Sequence, residues 1–211
     1  LGIGELTRYL NEKQDNLDNI VPIETEPVLV KNIIFASFIA CSNNHSACIM
    51  KCDSNFRDAY MVYTWGSGYN GKLGHGDIVD ISEPKKVEEL ESYKALFLNI
   101  ALGDEYTLAL DKNGNLWGWG KNLFLGINNT SGIDYTSAPK MISRDKKFIY
   151  VAASSTYCIA VDENGMIFGW GKIVHDDKVM TVKLDLNNPI KVESTKYVAC
   201  GLNHFAVISE S

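Results

Sequence analysis

Long apolar runs are missing from this sequence. Nothing in its 211 residues approaches the ~18–20 consecutive apolar residues that a bilayer-spanning helix needs, and the first residues lack the basic-then-apolar order of a signal peptide. The chain reads as soluble, with no membrane partner. Proline is scarce, at five residues, and the 17 glycines fall in no Ser/Gly-rich run, so glycine here is turn material inside a folded domain and not linker. Basic residues are in deficit: 20 Lys+Arg against 26 Asp+Glu give a net charge of −6, which argues against direct nucleic-acid binding by this segment. No Walker sequence, zincin helix, kinase set or G-x-S-x-G elbow is present. Cys41, Cys48, Cys52, Cys158 and Cys200 are an odd number in a chain too long to depend on disulfides, so free thiols in an intracellular protein, nuclear or cytoplasmic, are expected. An initiator Met is also missing, and Leu1-Gly2-Ile3-Gly4 reads like the middle of a longer chain.

What the sequence does have is internal self-similarity. Four segments align: 39–49, 100–110, 151–161 and 198–208. Each runs aliphatic, Ala, small, Gly or Ser, two mostly polar residues, an aromatic ring, then apolar residues. Three are followed by an aromatic strand ending in Trp-Gly, at Trp65-Gly66, Trp119-Gly120 and Trp170-Gly171, with Trp spacings of 54 and 51. Pro27, Pro84, Pro139 and Pro189 recur at spacings of 57, 55 and 50, each ahead of a short apolar-containing stretch. The pieces are short, β-branched or aromatic, and separated by turn residues, as antiparallel strands are. Asp111-Lys112-Asn113-Gly114 and Asp162-Glu163-Asn164-Gly165 read as hairpin turns in which Asn-Gly supplies positive φ angles. Alanine at one fixed place, Ala40, Ala101, Ala152 and Ala199, suits a crowded axis where strands of neighbouring units converge. The expectation is an all-β propeller of four-stranded antiparallel blades.

At these residues the chain resembles the RCC1 repeat family, the seven-bladed propellers named after the regulator of chromosome condensation. Trp65-Gly66 followed by Tyr69-Asn70-Gly71-Lys72-Leu73-Gly74-His75-Gly76 is similar to the family's W-G-x-N-x-x-G-Q-L-G-x-G, and Gly103–Leu110 to its G-x-x-H-T-x-A-L. The resemblance covers nearly all of residues 27–208. It implies an RCC1-type ring of seven blades, of which this chain supplies about three and a half: a leading post-proline strand, three blades, and two strands of a further one. Repeat units fall at approximately 1–66, 67–120, 121–171 and 172–211. A half ring leaves strand edges and apolar blade faces open, so the other blades lie in the parent protein or another copy completes it, with self-association through the open edges.

Two stretches depart from the repeat, and such departures map to loops on a face. One is an insertion at 5–26. The other, at 50–61, lengthens a hairpin that is tight elsewhere and brings Phe56, Arg57 and Tyr60, residue types enriched at binding hot spots. Gly66-Ser67-Gly68-Tyr69-Asn70-Gly71 matches G-x-G-x-x-G, but Lys72–Asp77 cannot be the helix that motif needs, so no nucleotide cofactor is expected. Cys41, His45, Cys48 and Cys52 have zinc-like spacing. The repeat explains Cys41 and Cys48 as small core residues, and His45 and His204 as anchors in the place of Tyr106 and Tyr157, so no metal is expected. His75 and His175 read as solvated.

The loop after each first strand carries the partner candidates. In the family's exchange factors an acidic residue directly before the aromatic anchor helps to drive nucleotide off a small G protein. Here that slot holds Asn44, Glu105, Thr156 and Asn203. Glu105, beside Asp104, is therefore the candidate exchange residue, although it departs from the family's Asp. The plant ultraviolet receptors of the family place Trp in this loop, and none of the four has one. The leading expectation is a protein–protein interaction module without covalent chemistry. The alternatives are an exchange factor for a Ran-like GTPase and a chromatin-associated propeller.

Overall fold

The computed structural model describes residues 27–52, 59–127, 132–143, 145–175, 178–181, 190–191 and 195–209. The first sheet is β1 (Ala36–Cys41), β2 (His45–Cys52), β3 (Ala59–Gly66) and β4 (Ile81–Lys86), paired in that order. The second repeats it with β5 (Phe97–Leu102), β6 (Tyr106–Asp111), β7 (Leu116–Lys121) and β8 (Tyr135–Ser143). A one-turn helix, α1 (Asn122–Leu125), follows β7. In the third sheet β9 (Phe148–Ala153), β10 (Tyr157–Asp162) and β11 (Met166–His175) pair in that order, and two short described segments lie along β11. β12 (Lys178–Thr181) pairs with the C-terminal end of β11, and β13 (Ile190–Lys191) with its start. β14 (Thr195–Cys200) and β15 (Phe205–Ser209) begin a fourth sheet. Every pairing is antiparallel.

The inner strands set the axis. β1 lies beside β5, β5 beside β9, and β9 beside β14. Ala40, Ala101, Ala152 and Ala199 occupy the same rung in each sheet, opposite Ala47, Leu108, Ile159 and Ala206. Three apolar clusters then join successive blades. Ala47, Ile49 and Val62 of the first blade meet Phe97, Ile100 and Trp119 of the second. Leu108 and Leu125 of the second meet Phe148, Val151 and Phe168 of the third. Ile159 and Val161 meet Val198. Position in the array decides burial: Ile100, Val151 and Val198 are 2–4% exposed, whereas Ile39, their counterpart on the first blade, is 75% exposed. Covering one such side chain stabilises by about 1.5–3 kcal/mol. The first blade therefore presents an apolar face that a preceding blade would cover.

Three expectations change at this level. The stretch after Pro27 forms no strand up to Phe35, because no strand among the described residues lies where it could pair. The outer strands do not follow Pro84 and Pro139 but contain them. Each proline falls in an irregularity opposite Trp65 or Trp119, where the ladder skips; a residue without an N–H is tolerated there on an edge strand. In the hairpin turns Gly114 and Gly165 alone take positive φ, 78° and 75°. The Asp111 and Asp162 carboxylates accept the following backbone N–H groups, so these are aspartate-capped turns followed by a left-handed glycine.

Candidate functional site

The loop that follows each inner strand is built the same way three times. Its slot residue gives its carbonyl to the backbone just beyond Trp-Gly: Ser67 N–H donates to Asn44 O at 2.8 Å, Lys121 N–H to Glu105 O at 2.9 Å, and Lys172 N–H to Thr156 O at 2.9 Å. Only glycine permits this approach. A Cβ on Gly66, Gly120 or Gly171 would come within 2.6, 2.4 and 2.3 Å of those carbonyl oxygens, and all three have φ above +100°. The Trp-Gly signature thus fixes the loop's backbone height while leaving its side chains variable.

The aromatic anchors tie each loop to the next blade. Tyr106, fully buried, donates its hydroxyl towards Ser154 O at 2.9 Å and Tyr157 O at 2.6 Å. Tyr157 reaches Gly201 O and His204 O in turn. His45 serves the first junction by its ring: Nε2 lies 2.9 Å from Thr107 Oγ1, and Nδ1 2.7 Å from Ser42 Oγ. Thr107 spends its proton on Lys72 O at 2.8 Å, so His45 donates through Nε2–H and accepts from Ser42 through Nδ1. Burial, with Lys72 adding to it, depresses His45 to about 3. A Ser–His pair with so weak a base cannot activate a nucleophile near neutrality. His204, beyond which no blade is described, is exposed.

The partner candidates separate into two groups. Asn44, Asp104, Glu105, Thr156 and Asn203 share one end of the blades. Asn44 and Asn203 are exposed there, and the other three half-buried. Asn43 Nδ2 donates to Asp104 Oδ1 at 2.9 Å, and Asp104 N–H to Ser155 O at 3.1 Å, making a continuous row across three blades. Glu105 is engaged by Lys121 at 3.3 Å, which also approaches Asp134 at 3.8 Å. Thr156 Oγ1 donates to Lys172 O at 2.6 Å.

Tyr60 sits at the opposite end, where the β2–β3 ladder continues through Met50–Met61 and Lys51–Tyr60 to Cys52–Ala59. There it lines a cleft of about 310 Å³ with Val62, Val87, Leu90, Leu96 and Phe97. Phe56, Arg57 and the insertion at 5–26 lie outside the described residues. His75 is not solvated as expected. It is half-buried, its Nε2 lies 3.1 Å from Thr64 Oγ1, and burial lowers its basicity, with Lys85 adding to the effect.

Sequence reading missed Lys72, which is 0% exposed; only its place between two motif glycines could have signalled a core position. Cys48 and Cys158 are buried free thiols whose ionisation burial suppresses. Among the described residues no group of three or more His, Cys, Asp or Glu could hold a metal ion, and no helix is long and apolar enough to cross a membrane.

Comparison with known proteins agrees with this construction. The family described as "Regulator of chromosome condensation (RCC1) repeat" matches residues 61–110, and a second model of the same description residues 97–124. The human E3 ubiquitin-protein ligase HERC2 is 27% identical over 210 residues, 96% of this chain but 4% of that protein. Human WBSCR16 superposes with a TM-score of 0.64 at 22% identity, over 82% of this chain and 45% of its own. Prp20p from Saccharomyces cerevisiae does so with a TM-score of 0.62 at 20% identity, over 85% and 45%. The chain thus spans less than half of each of these proteins. With RCC1 repeat models matched over residues 61–124 and successive antiparallel sheets around one axis, the chain is similar to RCC1-repeat proteins and shares the β-propeller fold of these solved neighbours.

Proposed function

We propose that this chain is a protein–protein interaction module, performing no covalent chemistry, whose working edge is the loop row from Asn44 through Asp104, Glu105 and Thr156 to Asn203. The carrying observation is the division of labour at each loop: glycine and aromatic anchors lock the backbone, while the slot side chain differs from blade to blade. Rigid scaffolds that vary only loop side chains are suited to recognition. A second candidate contact surface is marked by Tyr60 at the far end of the first blade, with Phe56 and Arg57 of the same insertion as further candidates from the sequence. Repeat units at 1–66, 67–120, 121–171 and 172–211, with insertions at 5–26 and 50–61, describe the variation among blades. The free thiols support an intracellular setting, nuclear or cytoplasmic.

Exchange on a Ran-like GTPase is the second reading, favoured by one observation: an acidic side chain, Glu105, stands half-exposed in the slot. The solved neighbour Prp20p is described by its binding properties to Gsp1p and histones. An acidic chain suits a basic protein partner such as a histone better than it suits DNA, which keeps a chromatin-associated role as a third reading. The discriminating experiment places a photo-crosslinking amino acid at Asn44, Glu105 or Thr156 of the full-length protein, and at Lys140 on an outer strand as control. Adducts confined to the loop positions are expected. Equal adducts at Lys140 would refute the assignment of this edge.

A further inference from the structure

The first blade carries a buried cation that the repeat does not require. Leu73-Gly74 and Leu125-Gly126 are equivalent, since Gly74 packs on Trp119 and Gly126 on Trp170. Lys72 is therefore the counterpart of Phe124. Their carbonyls play the same part: Thr107 Oγ1 donates to Lys72 O at 2.8 Å, and Cys158 Sγ to Phe124 O at 3.6 Å. In the second blade the slot holds an apolar ring that packs on Tyr106 at 5.7 Å. In the first it holds a lysine with no exposed surface, although burying an ammonium is costly and an apolar residue fills the same slot elsewhere.

The cation is aimed at the candidate loop. Lys72 Nζ donates to Asp104 O at 3.2 Å, across the junction between two blades. Burial pushes its basicity down, and the Glu105, Asp80 and Asp104 carboxylates draw it back up. Lys121 Nζ lies 3.3 Å from the Glu105 carboxylate. We propose that Lys72 is a positioning residue for partner recognition: its charge, supplied by the first blade, holds the Asp104–Glu105 segment of the second in its binding geometry. This rests on the reading of the loop row as the recognition edge. It makes the junction of the first two blades the specific part of that edge.

The test uses Lys72→Phe, which installs the residue of the equivalent slot, with Lys72→Met as a second uncharged variant and Lys72→Arg as the charge-conserving one, all in the full-length protein. The expected result is an unchanged melting temperature for Lys72→Phe, with amide hydrogen exchange at Asp104–Tyr106 accelerated roughly tenfold or more and exchange at Leu108 unchanged. Lys72→Arg should exchange like the wild type. Loop exchange at the wild-type rate in a folded Lys72→Phe or Lys72→Met protein would overturn the proposal. So would Lys72→Arg exchanging as fast as Lys72→Phe, or loss of the fold in both uncharged variants, which would make Lys72 a packing residue only. The photo-crosslinker at Asn44 separates the two claims. A loosened loop with falling adduct yield supports both, whereas a loosened loop with unchanged yield leaves positioning intact and refutes the recognition edge.

Discussion

Removing a single hydroxyl, in Tyr106→Phe, tests how the blades are coupled. The ring is fully buried and its hydroxyl faces two carbonyls of the next blade, Ser154 O at 2.9 Å and Tyr157 O at 2.6 Å. Tyr157 O keeps a second donor, Ser154 N–H at 2.8 Å, so the group left short is Ser154 O. The substitution opens no cavity larger than one oxygen, and the apolar contacts with Phe124 remain. The cost is thus that of one lost hydrogen bond plus a stranded buried carbonyl, about 2 kcal/mol. For a chain of this size that corresponds to a fall in melting temperature of about 4–8 °C. Chemical denaturation of the full-length protein should give the same free energy, and amide exchange should rise first at the junction of the second and third blades. A change below about 0.5 kcal/mol would refute the reasoning, because it would mean that apolar packing alone aligns the blades.

Four further outcomes are expected. Glu105→Ala should leave stability within about 0.5 kcal/mol, since its pair with Lys121 is partly exposed and such pairs contribute little. GDP release from a purified Ran-like GTPase should stay at background with wild type and variant alike, and acceleration abolished by the substitution would instead establish the exchange reading. Tyr60→Ala or Phe56→Ala should weaken capture of the partner identified by crosslinking by roughly 1–3 kcal/mol, measured by calorimetry; unchanged affinity would remove the hairpin from the interface. His45 is held at about 3 against an ordinary 6.5, so between those values the unfolded chain binds a proton that the folded chain refuses. Stability should therefore fall as pH drops from about 6.5, by up to ~1.4 kcal/mol per unit, and level off below about 3. The difference between wild type and His45→Gln isolates this slope, and a flat difference would contradict it. The isolated 211-residue segment should self-associate through its open faces in light scattering, and a stable monomer would show that those faces need no cover.

The sequence by itself determined the architecture, because a propeller writes its geometry into short-range pattern. Trp-Gly at the end of the third strand and an Asp-capped turn before Gly114 or Gly165 are demands of one blade, met by residues close together in the chain, and alanine on the inner strand repeats the demand of the common axis at one fixed place in every unit. It also located the loop row, since the slot before His45, Tyr106 and Tyr157 is defined by its neighbours. What each slot can do was decided between blades. Lys72 meets Asp104, and His45 meets Thr107, across separations of 32 and 62 residues, and a lysine's place between two motif glycines does not name the partner it meets in the adjoining sheet. His75 could not be read as half-buried for the same reason. The prolines illustrate the limit within a blade: their spacing was legible, but their place inside the outer strands depends on a skipped rung opposite Trp65 and Trp119. Burial of an inner-strand aliphatic is likewise a property of the array, which is why Ile39 and Ile100, alike in sequence context, stand 75% and 2% exposed.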